Sequence, residues 1–145
     1  MADKTKRSIS IAAPSSRVMD VIADYDAYPE WVAAAKSVEV LARGANGRAR
    51  RVRFVLDAGM VKDTYELDFE WAPDGKSVRW SLASAEIQKS QDGSYTLEDQ
   101  PDGTTTVTYE LTVDLNIPMI GLFKRKAEKA ITDTALKELK KRVEG

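Results

Sequence analysis

The polar side chains best suited to chemistry in this sequence are two carboxylates, Asp63 and Glu86, and the phenol of Tyr65. Each lies in an alternating segment at the parity of its apolar neighbours, so strand geometry turns all three toward one apolar face. Two close carboxylates on such a face resist ionising together, which raises one pKa and sets up a general acid and a general base. Tyr65 is then the candidate proton donor, and Ser84 occupies the same row. The structural alternative is a row open to water at a strand end, or one neutralised by Lys62, Lys89 or Arg50. Arg50 shares the parity of Val52 and Phe54, which makes it either a contact for an anionic headgroup or a solvated residue beside the turn at Gly44 to Gly47.

Much other chemistry is excluded. The 145 residues include no histidine and no cysteine, so Ser-His and Cys-His triads, thiolate chemistry and metal sites built on those ligands are all out of reach. No metal and no cofactor is expected. The glycines do not form a phosphate-binding loop. With 22 basic and 23 acidic residues the net charge is -1, and nothing draws the chain to nucleic acid. Met1 to Ser8 has no apolar run behind its charges, unlike a signal peptide, and a cytoplasmic location is expected.

The elements that position these groups follow from periodicity and punctuation. The length suits one domain over residues 1–145. A short strand at Ser8 to Ile11 leads into Pro14, after which Ser15 or Ser16 can cap a helix whose apolar face is Val18, Val21 and Ile22. A second short helix is expected between Asp24 and Trp31. From Val38 to Leu115 the period becomes two.

One assumption per turn fixes the register. A hairpin turn at Gly59-Met60 sets Phe54 against Tyr65 and Val52 against Leu67, with Arg53 facing Glu66 and Arg51 facing Asp68 on the other side. A turn at Asp74-Gly75 sets Trp71 against Val78, Phe69 against Trp80, Leu67 against Leu82 and Glu70 against Arg79. A loop at Pro101-Asp102-Gly103 pairs Leu97 with Val107 and Tyr95 with Tyr109. Apolar rows and charge pairs agree at once, and a slip of one residue would destroy both. The connection between Ile87 and Asp92 is not fixed in this way, and Gln88-Lys89 is one option for its turn.

The resulting apolar face carries Phe54, Tyr65, Phe69, Trp71, Trp80, Tyr95 and Tyr109, and it must be covered. The segment from Pro118 to Val143 is the only one long enough. Leu136, Leu139 and Val143 are expected to pack on the sheet. Phe123, Ala127, Ala130 and Ile131 form a second arc whose small residues leave room for a cavity. Ligand contacts are therefore expected from Phe54, Leu56, Tyr65, Leu67, Phe69, Trp80, Leu82, Ser84, Tyr95, Tyr109, Leu111, Phe123, Ala127, Ala130 and Ile131, while filling of the core alone is the competing reading of the same aromatics.

The order of these elements resembles the START-like (SRPBCC) superfamily, and within it the bacterial polyketide cyclase/dehydrase and coenzyme Q-binding group. The resemblance rests on Ile9 to Pro14 with Val18, on Asp24 through Tyr28-Pro29-Glu30-Trp31, on Gly93 to Leu97 with Asp102 to Tyr109, and on Leu136 to Lys141. It implies an α+β helix-grip fold: a seven-stranded antiparallel sheet wrapped around a long C-terminal helix, with two short helices between strands 1 and 2. It also implies binding of a hydrophobic small molecule such as a lipid, an isoprenoid quinone or a polyketide. Two other functions stay open. One is a polyketide aromatase/cyclase or dehydratase using Asp63, Glu86 and Tyr65. The other is a module that docks weakly on anionic membranes through the basic last helix, with Lys124, Arg125, Lys126, Lys129, Lys137, Lys140, Lys141 and Arg142, behind the apolar Met119, Ile120, Leu122 and Phe123. The chain is expected to act as a monomer or homodimer.

Overall fold

The computed structural model describes residues 4–44, 46–57, 62–115 and 121–145, with backbone only at residues 115, 121–128 and 130. The elements run β1 (Lys4–Ile11), α1 (Ser15–Ala23), a 3-10 turn (Tyr25–Ala27), α2 (Tyr28–Trp31), β2 (Ala35–Arg43), β3 (Ala49–Asp57), β4 (Lys62–Trp71), β5 (Ser77–Ala85), β6 (Gln88–Asp99), β7 (Thr105–Leu115) and α3 (Gly121–Glu144). The strands form one antiparallel sheet in the order β1-β7-β6-β5-β4-β3-β2. With α3 and the short helices between β1 and β2, this is the helix-grip architecture that the sequence implies.

The registers follow from alternation. Phe54 pairs with Tyr65 and Val52 with Leu67, Phe69 with Trp80 and Trp71 with Val78, and Leu97 with Val107. On the opposite face Arg51 holds Asp68 in a two-pronged bond of 2.7 and 3.1 Å, and Arg53 meets Glu66 at 3.0 Å. The expected turn at Gly59-Met60 lies outside the described residues. At Gly75 and Gly103 the φ angles are 72° and 86°, the left-handed conformation that a tight hairpin needs and glycine adopts without strain.

The alternation breaks at several points along the described strands, and three of these bulges re-aim residues singled out in the sequence. Between the Arg51 and Ala49 pairings, Arg50 is an extra residue on β3, so Ala49 takes the buried position and Arg50 is exposed. This corrects the inward reading of Arg50. Ala83 is an extra residue on β5, between Leu82 and Ser84, and Lys89 is one on β6, between Gln88 and Ser90. Each moves the residues beyond it to the other face.

The first helix is anchored differently from expectation. Pro14 is the N-cap and no side chain caps α1 locally. Ser15 instead donates its N–H and Oγ–H to Asp99 on β6, at 3.0 and 2.7 Å. The carboxylate satisfies the free N–H at the helix start across 84 residues of chain. The Ser15 hydroxyl, then its N–H, holds the Asp99 carboxyl below its ordinary pKa.

The last helix lays Thr132, Leu136, Leu139 and Val143 on the interior, each no more than 3% exposed. Their spacing of four, three and four residues is one helical stripe. The sequence places Ile131 on the inner arc, but it is 40% exposed. One residue is about 100° around a helix, so placing Thr132 inside turns Ile131 to the flank. The last turns are fastened by polar contacts. Arg17 donates to the Val143 carbonyl at 3.0 Å, and Glu144 accepts the Ala12 N–H at 2.8 Å. Lys140 donates to the Ser10 carbonyl at 2.6 Å, and Glu138 accepts the Ala33 N–H at 3.0 Å.

Inside the grip the aromatic rings touch in sequence. Tyr25 lies 4.8 Å from both Tyr28 and Phe69, Phe69 lies 6.0 Å from Trp80, and Tyr95 meets Tyr109 edge to face at 4.7 Å. The Trp80 indole lies flat across Gly93, its partner on β6. A Cβ at position 93 would fall inside the van der Waals surface of the Trp80 ring. Gly93→Ala is therefore expected to destabilise the protein by about 1–3 kcal/mol through overpacking, measured by urea unfolding, with Trp80→Leu in the same chain recovering part of the loss.

Burial raises the pKa of all five tyrosines above the ordinary value of 10.0. Because the folded-state pKa is the higher one, the stability from burying neutral phenols is complete below about pH 10 and is lost as the pH climbs past it. Ultraviolet titration of the native protein should show no phenolate step near pH 10. Ionisation should appear only at higher pH, together with loss of the folded circular dichroism signal. A simple step near 10 would place some of these hydroxyls in water.

Candidate functional site

The inward face of the sheet contains two kinds of wall. Val52, Val78 and Val107 are 0% exposed, whereas Phe54, Phe69, Trp80, Tyr95 and Tyr109 each keep between 5% and 8%. These three valines are sealed at the sheet, while the five aromatic residues keep a little accessible surface. Leu67 and Leu111 are buried beside them, and Leu56, Tyr65 and Leu82 are half-buried. Phe54 stacks on Tyr65 at 5.2 Å. Phe123, Ala127 and Ala130, the wall expected from the helix, lie outside the described side chains. So do Lys124, Arg125 and Lys126 of the membrane-docking reading; of its other cations, Lys140 is held by Ser10 and Glu144 and Arg142 by Glu30.

The polar row is not the one expected. Asp63 is 3% exposed and faces inward. Because Ala83 is bulged, Tyr65 pairs with Ala85 and Ser84 with Glu66. Ser84 and Glu86 are both exposed, which corrects the inward placement of each. Asp63 therefore meets the backbone of residue 86 rather than its carboxylate. Asp63 Oδ1 accepts the N–H groups of Glu86 and Ile87 at 2.9 and 3.3 Å, while Glu86 Oε1 accepts the Thr64 N–H at 3.1 Å. The two carboxylates fasten the β5–β6 turn to β4, each by binding backbone.

Gln88 takes the place expected for Glu86. The bulge at Lys89 turns Gln88 inward opposite Leu115, where it is 9% exposed and donates Nε2–H to Asp63 Oδ2 at 2.9 Å. Its Oε1 is buried without a hydrogen-bond partner, as is the Nε1–H of Trp80. Gln91, also 9% exposed, shares this face. Tyr65 stands beside the cluster, with its pKa raised first by burial, then by Tyr109 and by Asp63. Strict alternation back from Tyr95 points to Gln91. It misses Gln88 because the bulge reverses the parity. Among the described residues no three acidic side chains come together as a metal site would need, and no helix is long and apolar enough to cross a membrane.

Two shallow surface clefts lie at the opposite end of the sheet, around the C-terminal turn of α3. One is lined by Ala12, Ala13, Pro14, Arg17, Val143 and Glu144. The other runs between Arg17, Asp20, Asp24, Trp31 and Arg142. Both alternate charge with small apolar surface.

The fold recurs in solved structures. A START superfamily protein from Mycobacterium smegmatis superposes with a TM-score of 0.90 at 19% identity over 97% of both chains. A protein from Thermus thermophilus gives 0.83 at 24% identity, also over 97% of both. An aromatase/cyclase from Streptomyces sp. R1128 gives 0.84 at 16% identity, over 99% of this chain and 94% of the other. At these identities the likeness is one of fold. No curated protein sequence matches the chain. The model of the family described as polyketide cyclase/dehydrase and lipid transport matches residues 2–144. With that match over nearly its whole length, the chain belongs to this START-like family.

Proposed function

We propose that this protein encloses a hydrophobic small molecule, such as a lipid, an isoprenoid quinone or a polyketide-like ring system, between the aromatic face of the sheet and α3. The observation that carries the reading is the residual exposure of 5–8% on five inward aromatic rings, set against 0% for the valines between them. Rings that border a space keep some accessible surface, and these five keep more than the valines beside them. Burying that surface under an apolar ligand contributes about 25 cal/mol per Å², and the few polar atoms inside orient the molecule.

Carriage is favoured over acid–base conversion. Glu86 faces solvent, and Asp63 has both oxygens engaged by N–H donors, so the pair needed for proton transfer is not assembled.

Native mass spectrometry of the purified protein, followed by solvent extraction, tests the reading. One apolar adduct per chain is expected, and its loss on extraction should lower the thermal midpoint. A clean mass of the chain alone, with no thermal shift against lipids, quinones or aromatic polyketides, would sink the proposal.

A further inference from the structure

We propose that Gln88 selects the ligand by offering its amide oxygen to a hydroxyl group, and that Asp63 is the positioning residue that enforces this orientation. The inference deepens the function proposed above and rests on it. A glutamine amide can present either its oxygen or its NH2 group to a binding space, and its neighbours decide which. Here the neighbour is a carboxylate, which when ionised only accepts hydrogen bonds. Asp63 Oδ1 is already engaged by the Glu86 and Ile87 N–H groups at 2.9 and 3.3 Å. Its Oδ2 accepts Gln88 Nε2–H at 2.9 Å. The amide is thereby fixed with its oxygen turned away from Asp63.

That oxygen is buried without a partner, on a side chain only 9% exposed. An unpaired buried acceptor is a penalty that any properly placed donor removes. The bulge at Lys89 is what brings Gln88 to the inward face, and bulges recur where a side chain is re-aimed toward a site. The stacked rings of Phe54 and Tyr65 stand on the same side of the sheet, with Tyr65 next to Asp63. Together they specify a flat apolar body ending in a hydroxyl. A ketone or ether in the same place would set acceptor against acceptor and be disfavoured.

Binding of 2-naphthol and 2-methoxynaphthalene, followed by quenching of tryptophan fluorescence, tests this. The two probes share a ring system, but only the first donates a hydrogen bond. The wild-type protein should prefer 2-naphthol by about tenfold, the range of one well-placed hydrogen bond. In Gln88→Met the preference should vanish while 2-methoxynaphthalene binds as before. Asp63→Asn gives a sharper outcome. Its Oδ1 stays on the two backbone N–H groups, its NH2 faces Gln88, and the Gln88 amide turns over to present NH2. The preference should then be lost or reversed, an effect that mere loosening of the turn would not produce. Equal binding of both probes by the wild-type protein, or a preference retained in Gln88→Met, overturns the role of Gln88 and leaves the cavity standing. Failure of both probes to bind overturns the cavity reading and this role with it.

Discussion

Because successive residues of a strand point to opposite faces, one extra residue exchanges the faces for everything beyond it. The seven-stranded sheet lives under that constraint, and its interior is decided by where the alternation runs and where it is interrupted. Across the middle of β3, β4 and β5 it runs unbroken, and the inner face is filled by Val52, Phe54, Leu67, Phe69, Val78 and Trp80. Near the strand ends it is interrupted. The bulge at Arg50 keeps a guanidinium out of the apolar interior. The bulge at Ala83 turns Glu86 outward, and the bulge at Lys89 turns Gln88 inward. Two ionisable groups are thus excluded and one neutral amide admitted, as the high cost of burying an unpaired charge would favour.

The helix that closes the grip depends on this face as much as it covers it. Among its described side chains the inward stripe runs from Thr132 to Val143, and polar contacts hold the helix as well as burial. Arg17, Lys140, Glu138 and Glu144 each bind backbone across the junction of α3 with β1, α1 and α2. Hydrogen bonds involving a charged group are the stronger kind, and four of them at one end define where the helix sits. At the same end of the sheet the Thr105 hydroxyl donates to the Ala13 carbonyl at 2.7 Å and Asp99 receives Ser15. Asp63 performs the matching task at the opposite end, where it ties the β5–β6 turn to β4 from inside rather than from the surface.

An interior with five phenols is apolar in body but polar at its tips. Each ring contributes to burial and edge-to-face packing, yet each hydroxyl must find a partner or remain unmatched. Tyr28 donates to the Ile22 carbonyl. Trp80 Nε1 and Gln88 Oε1 are unmatched, a donor on β5 and an acceptor on β6. Natural interiors carry few such atoms, and here two of them lie on the face that also carries the aromatic rings.

Much of this was legible in the residues. The pairings of Phe54 with Tyr65, Phe69 with Trp80 and Leu97 with Val107 follow from alternation, turn glycines and charge pairs such as Arg51 with Asp68, because each of these is a local property of two strands and their hairpin. The helix-grip architecture follows as well, since one apolar face and one long helix leave few ways to bury both. Other features needed the tertiary structure. A bulge depends on how three neighbouring strands share curvature, and no pattern at Ala83 or Lys89 marks one; alternation alone therefore points Glu86 inward and leaves the place of Gln88 open. Ser15 read as a local cap because its acceptor, Asp99, lies 84 residues away. The flank position of Ile131 depends on the rotation of α3, which is set by contacts from β1, α1 and α2 rather than by the helix itself. The sequence determined by itself the rows and the cover, which are periodic; the folded chain decided which polar groups face inward, because that turns on single residues that break the period.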